Sequence, residues 1–224
     1  AAPDDNYRRG IALYKEGVIG AGNSRGIYNR LEGTPNTGST LQGCDGHGTL
    51  NSNIVAGYNN LTGAYHEDAS GYNYGLGVCP WVKVGSSVIF DPNYYTTPNI
   101  PNLQSKAYND GARISTNSWG AAVGGAYSST SHAYDALVRD AQPTGSTYPV
   151  EGNQQMVIVF SAGNSGSGAN TIGAPGTGKN IFCIGAAENV HAFGGADTGG
   201  GITDAEADRA NDIIYFSSRG PCDD

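Results

Sequence analysis

The feature that most constrains the fold of this chain is a series of short apolar runs rich in β-branched residues. They span residues 82–90, 113–118, 156–161 and 181–186, and each is bounded by Gly, Pro or Asn. Short, nearly continuous apolar runs are typical of strands that are buried on both faces of a parallel sheet. Helical segments are predicted at residues 49–57, 102–111 and 131–141. Strands that alternate with helices predict an α/β layered fold.

The length and charge of the chain narrow the classes of protein it can belong to. Its 224 residues suffice for one sizeable core, and no change in composition divides them, so residues 1–224 are predicted to be one domain or one large piece of a domain. The formal charge of -8 repels phosphate backbones, and we therefore expect no nucleic acid partner. No segment approaches the roughly 18 uninterrupted apolar residues that span a bilayer, so no membrane partner is expected either.

The cysteines indicate the compartment in which the protein works. Cys44, Cys79, Cys183 and Cys222 are widely spaced and contain no Cys-x-x-Cys pair, which argues against a zinc site. One or two disulfides in an oxidising compartment are predicted, and the pairing is open because four cysteines allow three pairings. The glycosylation-type triplet that begins at Asn60 and the low lysine content agree with this prediction. We expect a secreted or extracellular protein.

Small and polar residues follow two of the predicted strands directly. Ligands of α/β folds bind at the carboxyl ends of the strands, where these residues should lie. After one strand come Asn117, Ser118, Trp119 and Gly120, and after the next come Ser161, Ala162, Gly163 and Asn164. Small residues let a peptide backbone approach, and a fixed side-chain amide can donate a hydrogen bond to a developing oxyanion. A strand followed by an ordinary Asn/Gly turn is the alternative interpretation of each segment.

A histidine between two glycines is the third candidate for chemistry. His47 lies in the segment Asp45-Gly46-His47-Gly48-Thr49, directly before a helix-like run that ends near Gly57. The positive end of the helix dipole would disfavour the imidazolium and help keep the ring neutral, as a general base must be. Taken alone, a histidine in a glycine-rich turn is more often structural. His66, His132 and His191 lack this context and are interpreted as structural or exposed.

Together these segments resemble the subtilisin-like serine peptidases. The family's histidine motif is matched at its two ends by residues 47–49 and 55–57. Further motifs follow in the family's order, at residues 74–80, 117–120, 162–164, 173–175, 184–186 and 216–221. The resemblance covers about residues 43–221, and it implies a subtilisin-like three-layer fold with a mostly parallel central sheet, incomplete at both ends.

The resemblance also implies roles for individual residues. His47 would be the general base, and Asn164 would donate to the oxyanion. The backbone walls that grip a peptide or protein substrate would be Ser118, Trp119 and Gly120 on one side and Ser161, Ala162 and Gly163 on the other. Residues 173–175 would lie near the specificity pocket. The chemistry requires no cofactor or metal, and a structural calcium ion in the acidic, glycine-rich segment 194–212 is a further hypothesis.

Two parts of the family's triad have no match in this sequence. In residues 1–46 no apolar run leads into an aspartate, and Asp45 is too close to His47 to come from a separate strand. The nucleophile motif Gly-Thr-Ser-Met-Ala is not found, and Ser217 and Ser218 match the motif that precedes it. We therefore expect the orienting aspartate upstream and the nucleophilic serine downstream of a fragment that is nearly inactive alone.

Three functions remain open at this point. The leading hypothesis is a secreted serine endopeptidase that acts through an acyl-enzyme and whose other parts bind to this fragment. The second is a catalytically dead subtilisin-like domain that keeps its cleft for peptide or protein binding. An adhesin-like surface protein that uses loops rich in Tyr, Asn and Gly is the third.

Overall fold

The computed structural model describes residues 18–19, 23–39, 46–59, 61–64, 66–92, 94–188 and 211–223. The helices are α1 (His47–Ala56), α2 (Ile100–Asn109) and α3 (Ser129–Arg139). The strands are β1 (Val18–Ile19), β2 (Asn23–Ser24), β3 (Gly26–Leu31), β4 (Val84–Val88), β5 (Ile114–Asn117), β6 (Val157–Ser161) and β7 (Phe182–Ile184). The chain divides into two compact units, Ala1–Asn99 and Ile100–Asp224, which are described separately.

The first unit contains a parallel strand pair and helix α1. Strands β3 and β4 pair in parallel, from Gly26 opposite Val84 to Leu31 opposite Val88, and β1 and β2 form an antiparallel pair. Arg25 is buried, and its guanidinium donates to the carbonyls of Ala56 and Pro80. This one side chain therefore joins the end of α1 to the loop that leads into β4.

The second unit is built on the three-stranded parallel sheet β5-β6-β7. Helices α2 and α3 contact one another, and the core lies between them and one face of the sheet. The fully buried core cluster contains Tyr134, Leu137, Ala141, Met156, Ile158 and Phe160. The rings of Tyr134 and Phe160 meet edge to face at 4.7 Å between centroids. This contact fixes α3 against the central strand.

The other face of the same sheet is open in the part of the chain that the structure describes. The register places Ile114, Val157, Phe182 and Ile184 on this face, where they are 66%, 43%, 60% and 53% exposed. We call this surface the open face. Parallel sheets are normally covered on both faces. The prediction that these strands are buried on both faces is wrong here, because the described helices of this unit cover only one of them.

The predicted elements agree with the observed ones in type. The α/β class with parallel strands is confirmed, and helix α1 begins two residues before its predicted start, at His47. Strand β3 was not predicted, because Asn29 and Arg30 interrupt its apolar pattern. That residues 1–224 form one domain stays a prediction. No helix among the described residues is long and apolar enough to cross a membrane.

Candidate active site

His47 is the first residue of α1 and is exposed to solvent. Gly46 precedes it with φ of 76°, a left-handed conformation that glycine adopts without steric cost, and no side chain caps the helix there. The helix is regular from its first turn, since Leu50 N donates to Gly46 O at 2.8 Å. The backbone that carries the imidazole is thus regular, and a glycine flanks His47 on each side. His47 belongs to the first unit, whereas all the other predicted site residues belong to the second.

The first wall follows β5 and contains Ser118, Trp119 and Gly120. The Trp119 ring packs against Phe160 at 5.5 Å between centroids, and its Nε1 donates to Asn117 Oδ1 at 3.2 Å. Asn117 also donates through Nδ2 to Val159 O at 3.2 Å. Asn117 therefore connects the end of β5, and the indole beyond it, to β6. No role for this asparagine was predicted from the sequence.

The second wall follows β6 and turns sharply before Asn164. Gly163 has φ of 107°, and a Cβ atom there would lie 3.0 Å from Ser218 Oγ. Ser218 is buried; its amide donates to Gly163 O at 3.0 Å and its Oγ accepts from Ser165 N at 3.0 Å. Ser218 thus supports the turn on either side of Asn164 and leaves the Asn164 side chain exposed. These bonds agree with excluding Ser218 as the nucleophile.

The two walls enclose a cavity of about 300 Å³. It is lined by Ser118, Trp119, Gly120, Ala121, Ala122, Ser161, Ala162, Gly163, Asn164, Ser165, Gly173 and Ala174. The structure therefore brings together every wall residue and the oxyanion asparagine that the sequence analysis proposed. A second cavity of about 310 Å³ shares Ser118 and residues 161–164 and extends onto the open face at Val159 and Ile184.

Gly173 and Ala174 form the cleft floor. Gly173 N donates to Ala162 O at 3.0 Å, so the floor is attached to the second wall. Ala174 and Ala121 exchange two backbone hydrogen bonds of 2.8 and 2.9 Å, so it is attached to the first wall as well. A Cβ at Gly120 would lie 2.7 Å from Ala174 O, which explains the need for glycine at that wall position. Apart from Trp119, the cleft is lined by small residues, and the exposed Asn164 lies at one wall.

Neither a metal site nor a disulfide is found within the described ranges. No group of three or more His, Cys, Asp or Glu side chains there could hold a metal ion. The calcium hypothesis concerns residues 194–212, of which 194–210 lie outside the described residues. Cys79, Cys183 and Cys222 are free thiols, so the disulfide prediction is not met among these three. Burial raises the pKa of the Cys183 thiol, and the negative charge of a Cys222 thiolate raises it further.

The comparisons with known proteins identify the family of this chain. Small-residue walls and a side-chain amide lie at the carboxyl ends of parallel strands, where α/β proteins bind their ligands. A model of the subtilase family, a family of serine peptidases, matches residues 7–224, and the chain belongs to the subtilase family. The resemblance inferred from the ordered motifs is therefore confirmed.

Solved structures also match the chain, among them the structure of the prenylagaramide maturation protease PagA. It is 14% identical, with a TM-score of 0.47, and the match covers 94% of this chain and 62% of PagA. This chain thus spans less than two thirds of the length of PagA. No curated protein matches it.

Proposed function

We propose that this chain is the central part of a serine endopeptidase that hydrolyses peptide bonds through an acyl-enzyme intermediate. The observation that carries the proposal is the cavity between the two walls, where Asn164 stands exposed beside a trough of small residues. Such a trough admits an extended peptide backbone, and the amide can donate to the oxyanion that forms on an attacked carbonyl.

In the proposed mechanism His47 acts as the general base and then as the general acid. It takes the proton of a serine hydroxyl as the serine oxygen attacks the scissile carbonyl carbon. Asn164 donates a hydrogen bond to the oxyanion of the tetrahedral intermediate. His47 then gives the proton to the leaving amine, the C–N bond breaks, and water hydrolyses the resulting ester by the same route in reverse. Segments 118–120 and 161–163 hold the substrate backbone on both sides.

The nucleophilic serine and the orienting aspartate belong, in this proposal, to segments outside these 224 residues. The open face supports this part of the proposal, because a parallel sheet with four large apolar side chains exposed on one face is suited to being covered. The second cavity joins the open face to the surroundings of Asn164. A covering segment that begins there can bring its first residues to the site. We propose a secreted protein, in agreement with its composition.

A catalytically dead domain that binds peptides is the second candidate. The cleft alone supports binding as well as catalysis, since its walls are formed largely by backbone and small side chains. The two candidates differ in turnover. A protein that binds peptides in the cleft and never cleaves them would favour the second.

The test is hydrolysis of peptide p-nitroanilides by the protein expressed together with its flanking coding sequence. We expect His47→Ala to lower kcat by about a million-fold, the loss measured for a triad histidine in this same family. His132→Ala is the matched control, because His132 is an exposed histidine on α3. Hydrolysis that continues at the wild-type rate in His47→Ala would refute the catalytic role of this residue.

A further inference from the structure

A buried carboxylate behind the cleft has no part in the mechanism above. Asp135 lies on α3 and is only 7% exposed. Its Oδ2 accepts hydrogen bonds from Tyr127 OH and Lys179 N, both at 2.9 Å, and its Oδ1 accepts from Asn180 N at 2.7 Å. The carboxylate thus binds two successive backbone amides of the loop that follows the cleft floor.

A second contact on the same side of α3 holds the same loop. Ser131, one turn before Asp135, is fully buried, and its hydroxyl lies 2.7 Å from that of Thr177. Thr177 Oγ1 in turn donates to Ala126 O at 3.1 Å. A Cβ at Gly178 would lie 2.9 Å from Asp135 Oδ1, so the loop passes close against the carboxylate. Residues 177–180 are therefore attached to α3 at several consecutive positions.

The loop is short between this attachment and the cleft. Residues 174–177 are buried, and Gly178 N donates to Pro175 O at 2.8 Å, which closes a tight turn. One end of the segment is the cleft floor, whose two residues bond to both walls, and the other end is bound by Asp135 and Ser131. Few residues separate the cleft floor from the residues bound by Asp135. A displacement of residues 179–180 is therefore expected to move the floor as well.

We propose that Asp135 is a positioning residue that fixes the height of the cleft floor and thereby selects the size of the substrate side chain that enters the cavity. The inference rests on the proposed function and concerns its specificity. A carboxylate suits this task because both of its oxygens accept hydrogen bonds. An asparagine would place an NH₂ group against one of the donors and lose at least one of the backbone bonds.

The first measurement is amide hydrogen exchange on Asp135→Asn, which requires no activity. Asp140→Asn is the matched control, because Asp140 follows the same helix and its Oδ1 accepts from Gln142 N at 3.0 Å, a bond that asparagine can keep. We expect the amides of Gly173 and Ala174, like those of Lys179 and Asn180, to exchange about tenfold faster in Asp135→Asn, and to be unchanged in Asp140→Asn. Faster exchange at 179–180 with no change at 173–174 would overturn the positioning role.

The second measurement is hydrolysis of succinyl-Ala-Ala-Pro-X-p-nitroanilide with X as Ala, Leu or Phe, by the protein with its flanking sequence. We expect Asp135→Asn to change KM by about tenfold for the X that the wild type prefers, with kcat within about twofold, and to reduce the discrimination among the three. A uniform loss of kcat for all three would contradict a specificity role. Faster exchange at the floor of Asp135→Asn, together with a wild type that cleaves none of the three substrates, would refute the proposed function and leave the positioning supported.

Discussion

The position of Asn164 could be predicted from the sequence, whereas the contacts that support it could not. The sequence predicts its position, because a buried strand followed by small residues and an asparagine ends where ligands bind. The support of this turn by Ser218 could not be predicted. Ser218 bonds to Ser165, which is 53 positions away in the sequence. The bond from Asn117 to Val159 that connects the two strands is hidden from the sequence for the same reason, because its residues are 42 positions apart.

The first prediction for a single residue concerns the proposed hydrogen bond from Asn164 to the oxyanion. Asn164→Ala is expected to lower kcat by about 100- to 1,000-fold with little change in KM, because the amide donates mainly in the transition state; this range was measured in the same family. Asn153→Ala, in an exposed loop, is the control and should leave both constants unchanged. Steady-state kinetics on a peptide p-nitroanilide measure kcat and KM for both variants. A rise in KM of about 100- to 1,000-fold with unchanged kcat would mean that Asn164 only binds the substrate.

A further prediction at the residue scale concerns the thiols. Iodoacetamide at pH 8 should alkylate exposed Cys79 before Cys183, whose pKa is raised by burial and by the Cys222 thiolate. Because the raised pKa leaves less thiolate at this pH, the Cys183 rate should continue to increase as the pH passes the usual thiol range. Peptide mass mapping over time gives both rates. Preferential alkylation of Cys183 at pH 8 would contradict the burial of its thiol.

Helix α3 is the element that connects the core to the cleft. Its spacing of apolar residues predicts the helix, and the structure places Leu137 and Tyr134 in the core while Ser131 and Asp135 bind the loop of the cleft floor. The polar contacts of a helix depend on which loop passes beside it, so they do not follow from its periodicity. Strand β3 was not predicted because its sequence mixes polar and apolar residues. It forms nevertheless, because its backbone pairs with β4.

The core of this element can be tested through stability. Leu137→Ala should lower the free energy of unfolding by about 2–5 kcal/mol, since Leu137 is 2% exposed and its removal leaves a cavity between α3 and the sheet. Val150→Ala, at a position that is 47% exposed, should cost far less. Urea denaturation followed by circular dichroism measures both. Equal effects of the two substitutions would contradict the position of the core.

At the scale of the whole molecule, the described residues differ from an ordinary α/β domain because they leave one face of the sheet β5-β6-β7 open. The α/β class and the parallel strands follow from the alternation of short apolar runs with helical segments, and the family follows from the order of the motifs. The sequence could not show which face of the sheet its own helices would cover, because near-continuous apolar strands present apolar side chains on both faces.

Substitution on the open face is expected to improve the behaviour of the 224-residue chain and to destabilise the protein with its flanking sequence. Phe182→Ser should reduce aggregation and binding of the dye ANS by the 224-residue chain, because Phe182 is 60% exposed in it. In the protein with its flanking sequence the same change should lower the melting temperature, since a buried phenylalanine contact is lost. Tyr148→Ser, at an exposed loop position, should do neither. An unchanged melting temperature in the longer protein would contradict the proposed covering of this face.

The central proposal is that the protein is a serine peptidase in which His47 activates the nucleophilic serine. Labelling with a fluorophosphonate probe tests it most directly, because the probe reacts with a serine that has been activated as a nucleophile. The protein with its flanking sequence is expected to gain one probe adduct by intact mass, and the His47→Ala variant is expected to gain none. Absence of labelling in the wild type, or equal labelling in His47→Ala, would contradict the claim.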